Sequence, residues 1–382
     1  MSGYARVVIA AVFIAMCICW IGCGGSTNPP CQAATCVSSA GKFLYITALD
    51  DVSGFRVGTN GTPTGVQNQS GPNQSIGVAA DSSGRFLYVS DFESATILAF
   101  TINKSSGLLT PIGSPVSAGS PPDAGGLAID PGGKFLYVTL MNSSGVAGYS
   151  IDPVTGALTP ISGASVAAGN TPVQAIVDSS GKFLYVSNLN DSLGGITGYS
   201  INSTGALTPI PGSPFPTQAG FPGPAALTLG GGGKFLYVGM VGTVNPNNTI
   251  SAFSIDSATG VLNPLAGSPF PAGQGPIRVA SDSRGKFLFS ANLFDDTISA
   301  FTIDGTSGLL GPVAGSPFPT HSAPVAVAVD PDGKFVCVAN TVSGDLSVFS
   351  LDSTTGALSP LAGSPILTGQ QEPGGLAVVN TN

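Results

Sequence analysis

Hydrophobic and polar positions along this chain change over in short runs, and residues 323–365 show the pattern in full. Residues 324–330 are apolar, with small residues alternating, and read as a strand. Pro331-Asp332-Gly333 makes a tight turn. Residues 334–339 are apolar on both faces, as in a strand buried on both sides. Residues 340–345 are a polar loop, and Leu346-Ser347-Val348-Phe349-Ser350-Leu351 alternates as a third strand should. After a turn at 352–356, residues 357–361 form a weaker outer strand. Pro360 is tolerated there because an edge strand needs fewer ladder donors. Gly363-Ser364-Pro365 then leads towards the next unit. No segment of the body carries a helical period.

The unit recurs. Gly41-Lys42-Phe43-Leu44-Tyr45 returns with Gly84, Gly133, Gly181, Gly233, Gly285 and Gly333 at its head, at spacings of 43, 49, 48, 52, 52 and 48 residues. A period of about 40–50 residues marks a repeat architecture, and four short strands per repeat describe a propeller blade. The first phrase has no inner strand before it, whereas residues 374–380 are an inner strand with nothing after them. Joined, they complete one blade from both ends of the chain. The prediction is an all-β, seven-bladed propeller over residues 41–380, with four-stranded antiparallel blades and a ring closed by the terminal strands. A parallel β-helix would have a much shorter repeat. In this reading the phrase is scaffold: Gly turns, the aromatic and aliphatic residues fill both faces, and Lys offsets the Asp of the preceding turn.

The first 40 residues follow another pattern. One positive charge precedes an apolar stretch at 7–21, too short for a membrane span and the right length for a signal peptide. Trp20-Ile21-Gly22-Cys23 resembles a bacterial lipobox, so residues 1–22 are expected to be a lipoprotein signal peptide and Cys23 the lipidated residue. Ordinary secretion and an uncleaved anchor are the alternatives, and all three export the chain. Outer membrane or cell surface is the expected location, with the lipid anchor the only membrane contact. Residues 23–40 read as a tether, in which Cys31 and Cys36 form a local disulfide or remain free thiols.

Tyr185-Val186-Ser187-Asn188, Tyr88-Val89-Ser90-Asp91 and Cys337-Val338-Ala339-Asn340, each after Gly-Lys/Arg-Phe, resemble the YVTN-type repeat. They are similar to the seven-bladed lactonase propellers, the family that includes a 6-phosphogluconolactonase. Thr155-Gly156-Ala157-Leu158-Thr159-Pro160 and its echoes fit the same family. The resemblance covers residues 41–380. It implies the propeller fold, and it implies ring-opening of a sugar lactone by His, Glu and Arg side chains around the mouth.

Charge bears on that implication. The net charge is −8, which disfavours nucleic acid. Loops between second and third strands should share one face, the top, with the connections between blades. That face then carries ten of the 20 acids, against Arg278 and the single His, His321. Seven of the eleven cations after residue 22 belong to the repeated phrase, at the bottom. An anionic substrate would meet an unfavourable potential at the top, whereas a neutral lactone, a glycan or a basic protein would not.

Arg278, His321 and Glu372 are the candidate catalytic residues. A lone loop His is most often simply solvated, so the role of His321 rests on convergence with the other two. No cofactor is expected beyond weak calcium at Asp50-Asp51 and Asp295-Asp296. One His excludes a multi-His metal site, and Cys337, at a Tyr position of the repeat, reads as a buried structural thiol. Gly230-Gly231-Gly232-Gly233-Lys234 is no phosphate loop, because Phe235 and a strand follow. Two functions stand: a monomeric binding or scaffold module for a protein or glycan at the cell envelope, and a lactonase-like hydrolase.

Overall fold

A computed structural model describes residues 41–48, 51–71, 74–190, 195–217, 223–241, 248–368 and 373–381. They form seven antiparallel sheets around an axis. Blades 1 to 6 run in chain order over residues 75–117, 124–167, 172–216, 224–271, 276–319 and 324–367. Blade 7 joins Gly375–Asn380 to Lys42–Thr47, Asp51–Val57 and Pro63–Ser70. The terminal strands pair in full register from Lys42↔Asn380 to Thr47↔Gly375. Thr381 seals the seam: its N–H donates to the Gly41 carbonyl (3.1 Å), and the Gly41 N–H donates to the Thr381 hydroxyl (3.1 Å).

Blade 6 shows the unit. Pro324–Val329 is innermost, followed outward by Phe335–Asn340, Asp345–Leu351 and Leu358–Pro360. The second strand is buried along its whole length, as expected for a strand clamped between neighbouring blades. One expectation changes. Gly363-Ser364-Pro365 does not leave the blade; it is a bulge in the outer edge. Ile366–Leu367 resumes pairing with the third strand, opposite Leu346 and Asp345. The bulge would leave the Val348 N–H without a ladder acceptor, and the Ser364 hydroxyl takes it at 2.8 Å. Ser213, Ser268 and Ser316 do the same in blades 3, 4 and 5.

Among the described residues, seven apolar core clusters are each shared by two adjacent blades. The repeated phrase builds these interfaces. Its Phe ring lies against the turn glycine between the third and outer strands of the next blade. A Cβ at Gly61, Gly107, Gly156, Gly205, Gly260, Gly308 or Gly356 would stand 2.2–2.6 Å from the nearest ring atom or equally close aliphatic carbon. All seven glycines also have positive φ, where a side chain is strained. The phrase's Tyr then donates its hydroxyl to the carbonyl of that glycine: Tyr45 to Gly107, Tyr88 to Gly156, Tyr137 to Gly205, Tyr185 to Gly260 and Tyr237 to Gly308, at 2.7–2.8 Å. Phe289 and Cys337 stand at the Tyr position in blades 5 and 6 and have no such hydroxyl. Burial pushes the Cys337 thiol up to about 12, so it packs as a small apolar residue.

The Lys of the phrase does less than expected. The preceding Asp is buried and accepts backbone N–H groups instead. Asp178 Oδ1 takes those of Lys182 and Phe183, both at 2.8 Å, and Asp81, Asp130 and Asp282 repeat the pattern. Among the described residues, the close exception is Lys42. Its ammonium meets Asp330 (2.8 Å) and Asp332 (2.6 Å) of blade 6, across the last blade interface.

Candidate functional site

The connections between blades and the turns between second and third strands do share a face. The backbone joins them: Ala118 N–H donates to Ala95 O, Ala168 to Ser144, Ala272 to Asn248, and Thr320 to Asp296. This is the top. Three blades build its corners around a buried Asn at the end of the second strand. In blade 3 the Asn188 amide donates to Thr197 Oγ1 (2.8 Å) and the Gly195 carbonyl (3.1 Å). In blade 5 the Asn292 amide donates to Thr297 and Ser299, both at 2.9 Å.

Blade 6 puts an acid into this frame. The Asn340 amide donates to Asp345 Oδ1 (2.8 Å) and Ser347 Oγ (2.9 Å), and the Ser343 hydroxyl also donates to Asp345 Oδ1 (3.0 Å). The other Asp345 oxygen meets His321 Nδ1 at 2.7 Å. The carboxylate is 4% exposed and the imidazole 50%. His321 is placed by its own backbone as well, since its N–H donates to Ser347 Oγ (3.2 Å). A buried carboxylate that accepts from Nδ1 fixes the tautomer and leaves Nε2 as the free acceptor. That is the layout of a general base with its orienting group.

Both members depart from most of the repeats. The register places Asp345 where blades 1, 2, 4 and 5 carry Thr96, Gly145, Thr249 and Thr297, and where blade 7 also has an acid, Asp51. His321 follows Thr320 as Gly119, Gly169 and Gly273 follow Ala118, Ala168 and Ala272.

Arg278 lies on the innermost strand of blade 5, Pro276–Ser281, and is the only charged side chain in the seven inner strands. At its level the other strands carry Gly77, Gly126, Gln174, Ala226, Ala326 and Gly375. Gln174 spans to blade 4, exchanging hydrogen bonds with both backbone groups of Leu227 (2.8 and 3.4 Å). Arg278 instead turns back, its Nη1 donating to its own neighbour's carbonyl, Ile277 O (3.2 Å). Among the described residues no carboxylate lies within ion-pair distance of it. Burial alone pulls its pKa below the ordinary guanidinium value, and an Arg stays charged even so. Directly above it, Ile277 belongs to an apolar collar with Leu189, Ala225, Val241 and Leu293.

Arg278 and His321 thus belong to adjacent blade segments, but no hydrogen bond joins them. The partner the structure gives His321 is Asp345, which the sequence did not single out. Glu372 and Asp50 lie outside the described residues, as does Cys23. Asp51 opens the third strand of blade 7. Asp295 and Asp296 serve different segments: Asp295 accepts the Gln274 N–H (2.5 Å), and Asp296 accepts the Ala323 N–H (2.7 Å). Among the described residues, no three His, Cys, Asp or Glu side chains gather as metal ligands would. Asp123 is wholly buried and accepts the N–H groups of Asn142 and Ser143. Much of the acidic top is therefore loop-capping carboxylate that holds the backbone.

Fold and site together define a closed seven-bladed propeller with a carboxylate-oriented imidazole on its top face. The sequence model for "Lactonase, 7-bladed beta-propeller" matches residues 24–124, 122–218, 210–320 and 272–370, and the chain belongs to that family. Among curated proteins, none matches the sequence. A candidate 6-phosphogluconolactonase from Bacteroides fragilis superposes with a TM-score of 0.74 at 20% identity, covering 91% of this chain and 100% of its own. The periplasmic gluconolactonase PpgL of Pseudomonas aeruginosa gives 0.74 at 18%, covering 89% and 99%. Kuenenia stuttgartiensis hydrazine synthase gives 0.59 at 17%, covering 86% and 100%. At such identities the likeness carries the fold, and the last example shows that this fold hosts unrelated chemistry. Of the two functions raised by the sequence, family membership favours the hydrolase.

Proposed function

We propose that this protein hydrolyses lactones, opening a neutral sugar lactone or similar cyclic ester to its hydroxy acid. The observation that carries the reading is the 2.7 Å contact between His321 and the buried Asp345, at positions where the neighbouring blade 5 has Gly273 and Thr297. Nε2 takes a proton from water as the water oxygen attacks the lactone carbonyl carbon. The acyl carbon–oxygen bond breaks, and the imidazolium returns its proton to the leaving ring oxygen. Asp345 stabilises the imidazolium between those steps. One water is consumed, and the product acid releases one proton at neutral pH. The acidic top disfavours a phosphorylated substrate and favours departure of the carboxylate product.

The test is proton release from glucono-δ-lactone and from its 6-phosphorylated form, followed in a pH-stat above the spontaneous rate. The neutral lactone should turn over faster than the phosphorylated one. Absence of turnover on either would overturn the reading. Export with a lipid on Cys23 is part of the same proposal, supported by the apolar stretch at 7–21. Labelling of the expressed full chain with a palmitate analogue should be lost in Cys23→Ala; labelling that persists would count against it.

A further inference from the structure

The repeat gives a way to find what is unusual about the surface around His321. At the second position of the top turn, blades 1, 2 and 3 carry Glu93, Asn142 and Asn190. Blades 5 and 6, on either side of the His321 connection, carry Phe294 and Val342 there. On the outer edge, Leu367 stands where blades 1 to 5 have Ser117, Ala167, Pro216, Pro271 and Pro319. These side chains are exposed: Phe294 by 47%, Val342 by 67% and Leu367 by 79%. The other large exposed apolar side chains among the described residues are Leu108, Val154 and Leu309, all in bottom turns. Single exposed apolar residues need no explanation. Three in one sector, each replacing a polar or small residue of the repeat, do.

All three are tied to the dyad. Leu367 is the ladder partner of Asp345. Val342 precedes Ser343, which donates to Asp345. Phe294 lies over Gly275, and its turn is bound to the His321 connection on both sides of the imidazole, through Asp296 O to Thr320 N–H and Asp296 Oδ1 to Ala323 N–H. Among the described residues, the one charged side chain of the blade 5 inner strand, Arg278, turns to its own backbone.

The geometry points to a substrate class: an uncharged lactone bearing an alkyl or aryl substituent, its ring over His321 Nε2 and its apolar group along Val342 and Leu367 or on Phe294. This rests on the lactone-hydrolysis reading and sharpens it. Apolar contact of this kind adds transition-state affinity in proportion to the area covered, on the order of tenfold for one or two methylenes placed against a side chain.

The experiment compares kcat/KM for δ-dodecalactone with that for δ-valerolactone, which has the same ring without the long chain. The wild-type ratio should be about tenfold or more in favour of the alkyl lactone. It should fall towards one in Val342→Ser/Leu367→Ser or in Phe294→Ser. Equal turnover of the two lactones by the wild-type protein would overturn the inference while leaving hydrolysis intact. If neither is hydrolysed, it is the hydrolysis reading that fails. Binding of the inert alkyl lactam, followed by calorimetry, then decides the surface. Binding that the serine variants weaken supports it; no binding, or equal binding by the variants, overturns it.

Discussion

In blade 5 the Asn292 amide holds two hydroxyls, and the connection above it carries Gly273, whose N–H reaches Ser299 Oγ at 3.3 Å. In blade 6 the Asn340 amide holds a hydroxyl and a carboxylate, and the connection above it carries His321, whose N–H reaches Ser347 Oγ at 3.2 Å. Strands, register and backbone contacts match. The blade 5 corner has no room for a side chain, since a Cβ on Gly273 would lie 2.4 Å from Asn292 Nδ2. Two replacements, Thr to Asp and Gly to His, separate this structural corner from the one proposed to hold a base and its orienting acid. Because the frame is repeated, each corner serves as a control for the others.

The largest expected effect follows from returning His321 to the repeat residue. His321→Gly should lower kcat on a lactone by about a hundredfold or more, with the melting temperature close to wild type because the imidazole is half exposed. Asp345→Asn should lower kcat by about tenfold at nearly constant KM and alter the pH–rate profile, since the imidazolium loses its counter-charge. A purely structural Asp345 would change the melting temperature and leave that profile unmoved.

The blade interfaces give the next scale. Tyr185→Phe removes the hydroxyl that holds the Gly260 carbonyl and should cost about 1–2 kcal/mol in denaturant unfolding. Phe289→Tyr should recover part of such an amount at an interface that lacks the bond.

The smallest effect is at the ring seam. Hydrogen bonding to Lys42 holds the Asp332 carboxyl below its usual range. Its contribution is therefore present above the ordinary carboxylate pKa and lost as pH falls through the lowered value. Asp332 is 42% exposed and screened by solvent, so the effect stays below about 1 kcal/mol. Asp332→Asn should remove that part of the acid-side loss of stability seen in melting scans from neutral to acidic pH.

The fold was legible because its signals are local and repeated. The phrase, the Asp-containing turns and the unpaired inner strand at 374–380 sufficed for seven blades and their closure. The split outer edge was not, because Gly-Ser-Pro reads as a terminator and only the ladder shows Ile366–Leu367 resuming beyond it. Half of the dyad was legible. His321 stands out as the single His, but Asp345 was one acid among ten on the top. Its partnership depends on a connection crossing from blade 5 to the third strand of blade 6. Aligning the repeats on the phrase would have exposed it: Asp345 is eight residues after Cys337, as Thr297 is after Phe289 and Thr96 after Tyr88.

The most direct measurement is chemical rescue of His321→Gly. Lactone hydrolysis by the variant is followed in a pH-stat as imidazole is added, with the spontaneous and imidazole-catalysed rates subtracted. A base at this corner predicts a low starting rate and a saturable recovery, absent when Asp345→Asn is combined with it. A His321→Gly protein that hydrolyses the lactone at the wild-type rate without imidazole would contradict a catalytic dyad in blade 6.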